Sequence, residues 1–165
     1  MIISIIYLII SLFLETIMSN FFPTTLNSVS LFTTMYTIIG LVIIYPFFNN
    51  RKKYYLLTII FGSLFGILYG SGFIVGLIIF LLVGMMIRFL YNVFPENVFM
   101  TNLISYISIC IYHLLSFIIL SIFSSISYSF MTLINILLGS IVMTIIYTSI
   151  SYYVLKFIFN KKVIK

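Results

Sequence analysis

Long apolar runs and short polar breaks alternate along this chain. The first run, from about Ile2 to Met18, ends in SNFFPTTLNSVS (Ser19 to Ser30), where Pro23 and the Ser/Thr/Asn content mark irregular backbone. A second run, about Leu31 to Phe48, stops at Pro46 and the basic stretch Asn49-Asn50-Arg51-Lys52-Lys53. Runs from about Tyr54 to Tyr69 and Phe73 to Tyr91 are separated only by Gly70-Ser71-Gly72. After a link from Asn92 to Asn102, holding Pro95 and Glu96, come Leu103 to Phe123 and, beyond a polar turn, Phe130 to Phe159. About 20 apolar residues carry a helix across the hydrocarbon core. The pattern therefore predicts an all-α integral membrane protein of six transmembrane helices, in one membrane domain over residues 1–165. The sixth run is longer than needed and predicts a tilted or emerging helix.

Within this pattern, Phe61 to Gly84 stands apart. It holds Gly62, Gly66, Gly70, Gly72, Gly76 and Gly84, six of the eight glycines. Gly62, Gly66 and Gly70 recur every four residues, about 40° from vertical register per step, and form one stripe on a helix. Gly72 and Gly76 repeat the spacing. In water such a run weakens a helix. In a bilayer small residues let helix backbones approach, which drives association where lipid offers no hydrophobic contrast. With Gly70-Ser71-Gly72 as the turn, spans three and four are expected as an antiparallel pair with the glycines lining their contact.

Composition sharpens the class. The chain is 64% hydrophobic and 6% charged, against about 25% charged in soluble domains. It contains no Ala, Asp, Gln or Trp, and is rich in Ile, Phe, Tyr, Asn, Ser and Lys. That bias suits AT-rich coding and makes the aromatic content poor evidence for a stacking site. The net charge of +6 belongs to span ends and points to a membrane rather than to nucleic acid. Arg51, Lys52, Lys53, Arg88, Lys161 and Lys162 act as topology determinants under the positive-inside rule. Six spans put all of them on one side, with both termini cytoplasmic and Glu15 toward the other side. Five or seven spans would separate them. Arg88, in the last turn of its span, can snorkel to the interface. The apolar start, with no basic residue after Met1, predicts an uncleaved first span.

Candidate chemistry is sparse. Glu15 and Glu96 are the two acids and are expected near opposite faces, so paired-carboxylate catalysis and a shared metal fail together. Cys110 is a single thiol, which excludes an internal disulfide and a multi-Cys metal site. Ser71 lies between glycines, but His113 is mid-span and Tyr69 stands where an intramembrane serine protease would carry glycine. No catalytic residue, cofactor or metal is expected. His113 is expected to sit neutral between helices, with Tyr112 and Ser116 as candidate hydrogen-bond partners. Glu15, in the last turn of its span, reads equally as an interfacial residue beside Ser19 and Asn20 or as a contact to a partner protein. The basic stretch at Arg51 needs no role beyond orientation and anionic lipid.

Three stretches resemble one family, the bacterial rod-shape-determining protein MreD. They are Leu14-Glu15-Thr16 with the break from Asn20 to Pro23, Ile43 to Phe48 running into the basic stretch, and Phe61 to Phe80. The last is similar to the family's Gly-Leu-x-x-Asp-x-x-x-Gly-x-x-x-Gly pattern, with Gly66 where the family usually carries Asp. The likeness extends from about Phe13 to Phe159. It implies a non-enzymatic membrane scaffold of the cell-elongation machinery, involved in cell shape and lateral peptidoglycan synthesis. The implied partners are MreC and, beyond it, MreB, RodA and the elongation transpeptidase. It also implies a fold similar to the S-components of energy-coupling-factor vitamin transporters, and an Asp tolerated at Gly66. A vitamin-binding S-component is the alternative. Against it, the first span has neither Ala nor Gly, and Ser4 and Ser11 are not spaced by four.

Overall fold

The computed structural model describes residues 2–21, 34–48, 50–69, 72–123 and 130–163. Their order is α1 (Ile2–Phe21), α2 (Tyr36–Ile44) with a 3-10 turn (Tyr45–Phe47), α3 (Arg51–Leu68), α4 (Phe73–Val93), α5 (Val98–Phe123) and α6 (Phe130–Val163). The described residues are all helix and short links, as backbone in hydrocarbon must be when every N–H and C=O has to be satisfied within its own segment.

Four of these helices are long and apolar enough to cross a membrane: Ile2–Phe21, Phe73–Val93, Val98–Ile119 and Phe130–Phe159. The other two differ from the expected spans in ways the side chains explain. α2 is nine residues long, about 14 Å of helix, and Pro46 tightens its end into the 3-10 turn. α3 begins at Arg51, so Arg51, Lys52 and Lys53 form its first turn and are not a loop. Asn50 sets that boundary by accepting the Lys52 N–H on Oδ1 at 3.0 Å. Asn97 does the same for α5, accepting from Met100 N–H at 2.7 Å. α5 therefore starts five residues before the expected Leu103.

The bundle is arranged with its small and hydroxylated residues inward. The buried residues of α1 are Ser4, Leu8, Ser11 and Glu15, a line spaced 4-3-4 on one face. Its other faces present Ile6, Ile9, Ile10, Phe13 and Ile17 to the outside. α6 repeats the arrangement, with Ser140, Thr144, Thr148 and Ser151 buried and Val142, Ile145, Ile146 and Ile150 exposed. This suits a lipid surround, where Ile and Phe are at home outside and hydroxyls seek partners inside. α2 is buried on every face and packs against α1, α5 and α6, while α3 and α4 make the most extensive pair in the molecule.

Candidate functional site: two helix seams and a basic end

The α3–α4 seam brings backbone against backbone. A Cβ on Gly66 would overlap the Gly72 carbonyl oxygen, and one on Gly76 would stand 2.5 Å from the Gly62 oxygen and 2.7 Å from Gly66 Cα. A Cβ on Gly62 would lie 2.5 Å from Phe80 Cβ, and one on Gly84 2.8 Å from the Thr58 methyl. Gly72 is open around its Cα and is constrained instead by its φ of +88°. Its N–H reaches back to the Gly66 carbonyl at 3.0 Å, tying the start of α4 to α3. Gly70 and Ser71 lie outside the described residues. The seam thus places Gly62, Gly66 and Gly76 at one contact. It also leaves no room for the Asp implied at Gly66: any side chain there starts with a Cβ inside the neighbouring backbone.

The second seam joins α1, α2 and α6, and it is polar. Glu15 is only 5% exposed. Its Oε2 accepts the Thr37 backbone N–H at 3.0 Å and the Thr37 hydroxyl as well. Thr37 is in the first turn of α2, whose own N-cap residue, Met35, offers no side-chain cap. The carboxylate of one helix therefore caps the next, where free N–H groups and the helix dipole favour negative charge. Glu15, expected either at the interface beside Ser19 and Asn20 or in contact with a partner, is instead buried, with Oε2 engaged inside the bundle. Gly40 on α2 makes this approach possible: a Cβ there would meet Leu8 Cδ2 and Ser11 Oγ at 3.0 Å each.

Further along this seam, Ser11 Oγ donates to the Tyr7 carbonyl at 3.0 Å. Its single hydrogen is then used, so the 3.0 Å contact with Tyr147 has the phenol as donor. Thr144 likewise donates to the Ser140 carbonyl at 2.6 Å, so Thr34 donates to Thr144 at 2.7 Å. Thr16 links α1 to the far end of α3 through the Tyr69 hydroxyl at 3.1 Å. The Tyr36 ring meets Tyr147 edge-on at 4.8 Å, and the Tyr36 hydroxyl is buried with no hydrogen-bond partner among the described residues. The inward line Ser4-Leu8-Ser11-Glu15 does not follow four-residue spacing throughout and is not marked by it in the sequence. Its seven-residue interval, Ser4 to Ser11, was the available signal.

The basic residues collect at one end. Tyr45, at the close of α2, lies within electrostatic range of Arg51 and Arg88 and stacks on Tyr91 near the end of α4, with centroids 5.2 Å apart. Phe47 stacks on Phe159 of α6 at 4.3 Å. The start of α3 and the ends of α2, α4 and α6 therefore share this end. Lys156 lies 5.6 Å over the Tyr152 ring. Lys161 and Lys162 are in the last turn of α6, with side chains outside the described part. Between α3 and α4 an open groove of about 430 Å³ is lined by Tyr55, Met85, Arg88, Phe89 and Asn92. Arg88 Nη1 donates to the Tyr55 hydroxyl at 3.4 Å.

The remaining candidates stay apart. His113 makes an edge-on ring contact with Tyr112 at 5.5 Å. Ser116 Oγ is buried without a partner among the described residues, so the expected hydrogen bond from Ser116 to His113 is not formed. Cys110 is half-buried on α5. Among the described residues no three His, Cys, Asp or Glu side chains group as metal ligands. No protein-family model, curated protein or solved structure matches the chain.

Proposed function

We propose that this chain is a non-enzymatic scaffold of the bacterial cell-elongation machinery, a six-span plasma-membrane protein that supports cell shape and lateral peptidoglycan synthesis beside MreC. In this reading α3, with its basic first turn at the interface, is a fifth span, and α2 is the described part of the sixth. The basic end faces the cytoplasm, as the positive-inside rule requires. Support comes from the three stretches that resemble MreD and from the use made of the interior.

The observation that carries the reading is that use. The glycines bring α3 and α4 into backbone contact. Glu15, Ser11, Thr34 and Thr144 join α1, α2 and α6 through hydrogen bonds. Small and polar residues are engaged in holding helix to helix, which is what a rigid docking body needs. The outer faces, rich in Ile, Leu and Phe, are left to lipid and to partner helices.

Depletion in a rod-shaped host tests the proposal. Cells are expected to widen, wall synthesis to lose its lateral pattern, and the tagged protein to co-purify with MreC. Unchanged width and unchanged localisation would refute the shape role. Thermal stabilisation by a vitamin at nanomolar concentration would favour the S-component alternative instead.

A further inference from the structure

We propose that the groove between α3 and α4 at the basic end is a binding site for one anionic phospholipid, its phosphate on Arg88 and an acyl chain along Met85 and Phe89. Met85, Arg88, Phe89 and Asn92 are spaced i, i+3, i+4 and i+7 on α4, so they share one face. Tyr55 of α3 closes the opposite wall. From the helix end inward the order is Asn92, Phe89, Arg88 and Met85, so the outermost lining residue is polar, the innermost is apolar, and Arg88 sits between two apolar side chains.

An amphiphile matches that lining, and the charge fixes its sign. The Arg88 guanidinium has a long hydrogen bond to a neutral phenol, which leaves donors for a phosphate in the planar geometry that guanidinium recognises. Neither acidic side chain lines the groove. Glu15 is held by Thr37 in the other seam, and Glu96 lies in the link beyond Val93, outside the groove lining. Arg51 stands at the same end: it and Arg88 both act on the Tyr45 phenol, and each does so more strongly than Glu96, which acts on it too.

The route of entry favours lipid over a dissolved anion. The groove opens on a lateral face where Leu82, Met85 and Phe89 are exposed, so a ligand lying there has its apolar part in the bilayer. Its volume falls within the range of small-ligand sites, about 300–1,000 Å³. Basic pockets between transmembrane helices are suited to anionic headgroups.

The test is native mass spectrometry of the full chain in neutral detergent, titrated separately with phosphatidylglycerol, phosphatidylcholine, glycerol 3-phosphate and inorganic phosphate. Wild type is expected to hold one phosphatidylglycerol at least about fivefold more tightly than phosphatidylcholine. Arg88→Gln should erase that preference, while Arg88→Lys, which keeps the charge but not the planar fork, retains part of it. Lys53→Gln, outside the groove lining, should change it by less than about twofold. The wild-type preference needs no variant, so a misfolded Arg88→Gln protein leaves the proposal open to refutation. Equal binding of the two lipids by wild type would overturn it, as would undiminished phosphatidylglycerol binding by folded Arg88→Gln. Displacement of the lipid by millimolar inorganic phosphate, with no acyl-chain requirement, would replace the lipid site with a simple anion site.

Discussion

The two seams hold helices together by opposite means. Between α3 and α4 the contact is made by what is missing: without Cβ atoms, Gly62, Gly66 and Gly76 let two backbones touch. Between α1, α2 and α6 the contact is made by what is present: a carboxylate, a phenol and paired hydroxyls. Lipid competes poorly with both, since it cannot fill a backbone-shaped groove and cannot donate a hydrogen bond in hydrocarbon. The difference lies in tolerance. A close-packed seam fails when an atom is added, and a hydrogen-bonded seam fails when one is removed.

Substitutions at the glycine seam should have the largest effect. Gly66→Leu and Gly76→Leu are expected to destabilise by more than about 3 kcal/mol, because the obstructing atoms are backbone and cannot rotate away. The measurement is accumulation of folded protein in membranes and its unfolding midpoint in mixed micelles. Gly66→Asp is expected to fail with them. Normal accumulation of that variant would mean that the seam opens to admit a side chain, and would restore the alignment of Gly66 with the family's acid.

Glu15→Ala should come next, at about 2 kcal/mol, since it leaves the Thr37 N–H and hydroxyl buried without an acceptor. Glu15→Gln keeps one acceptor oxygen and should lose less than half as much in the same micelle titration. Full stability of Glu15→Ala with loss of MreC co-purification would return the residue to a partner-contact role. Gly84→Ala should cost about 1 kcal/mol, because the atom it meets is the Thr58 methyl, which can move. Thr58→Ser in the same chain should relieve that loss, and a double variant no better than Gly84→Ala would sink the assignment. Tyr147→Phe should be smallest, about 0.6 kcal/mol for one interhelical hydrogen bond, read as a shift in unfolding midpoint.

The contrast also explains what could be read from the chain. A glycine every four residues marks a face for close helix contact, inside the chain or with another membrane protein, and the short Gly70-Ser71-Gly72 link favours pairing α3 with α4. Serine, tyrosine and glutamate in an apolar helix are ambiguous, since each can face lipid headgroups, a partner or the interior. Ser11 and Glu15 interrupt an apolar run, and only the folded chain sets Tyr147 and Thr37 opposite them. Helix starts at Arg51 and Val98 were misplaced because hydropathy locates apolar runs, whereas Asn50 and Asn97 begin helices by capping. The complete burial of α2 was illegible for a related reason. A helix apolar on all sides looks the same whether lipid or protein surrounds it.

That burial sets the order in which the molecule can be made. The chief neighbours of α2 are α1, emerging before it, and α5 and α6, emerging last. Its flanking contact from Thr34 to Thr144 bridges 110 positions of chain. The α3–α4 hairpin can close as soon as its own residues leave the ribosome, since its contacts are local. α2 can meet α1 at once, but it lacks its last wall until Ser140 to Ser151 arrive. Assembly therefore runs from an early, self-sufficient hairpin to a late enclosure. A chain cut short before α6 would hold a finished hairpin beside a central helix that has α1 and α5 against it but lacks its third wall.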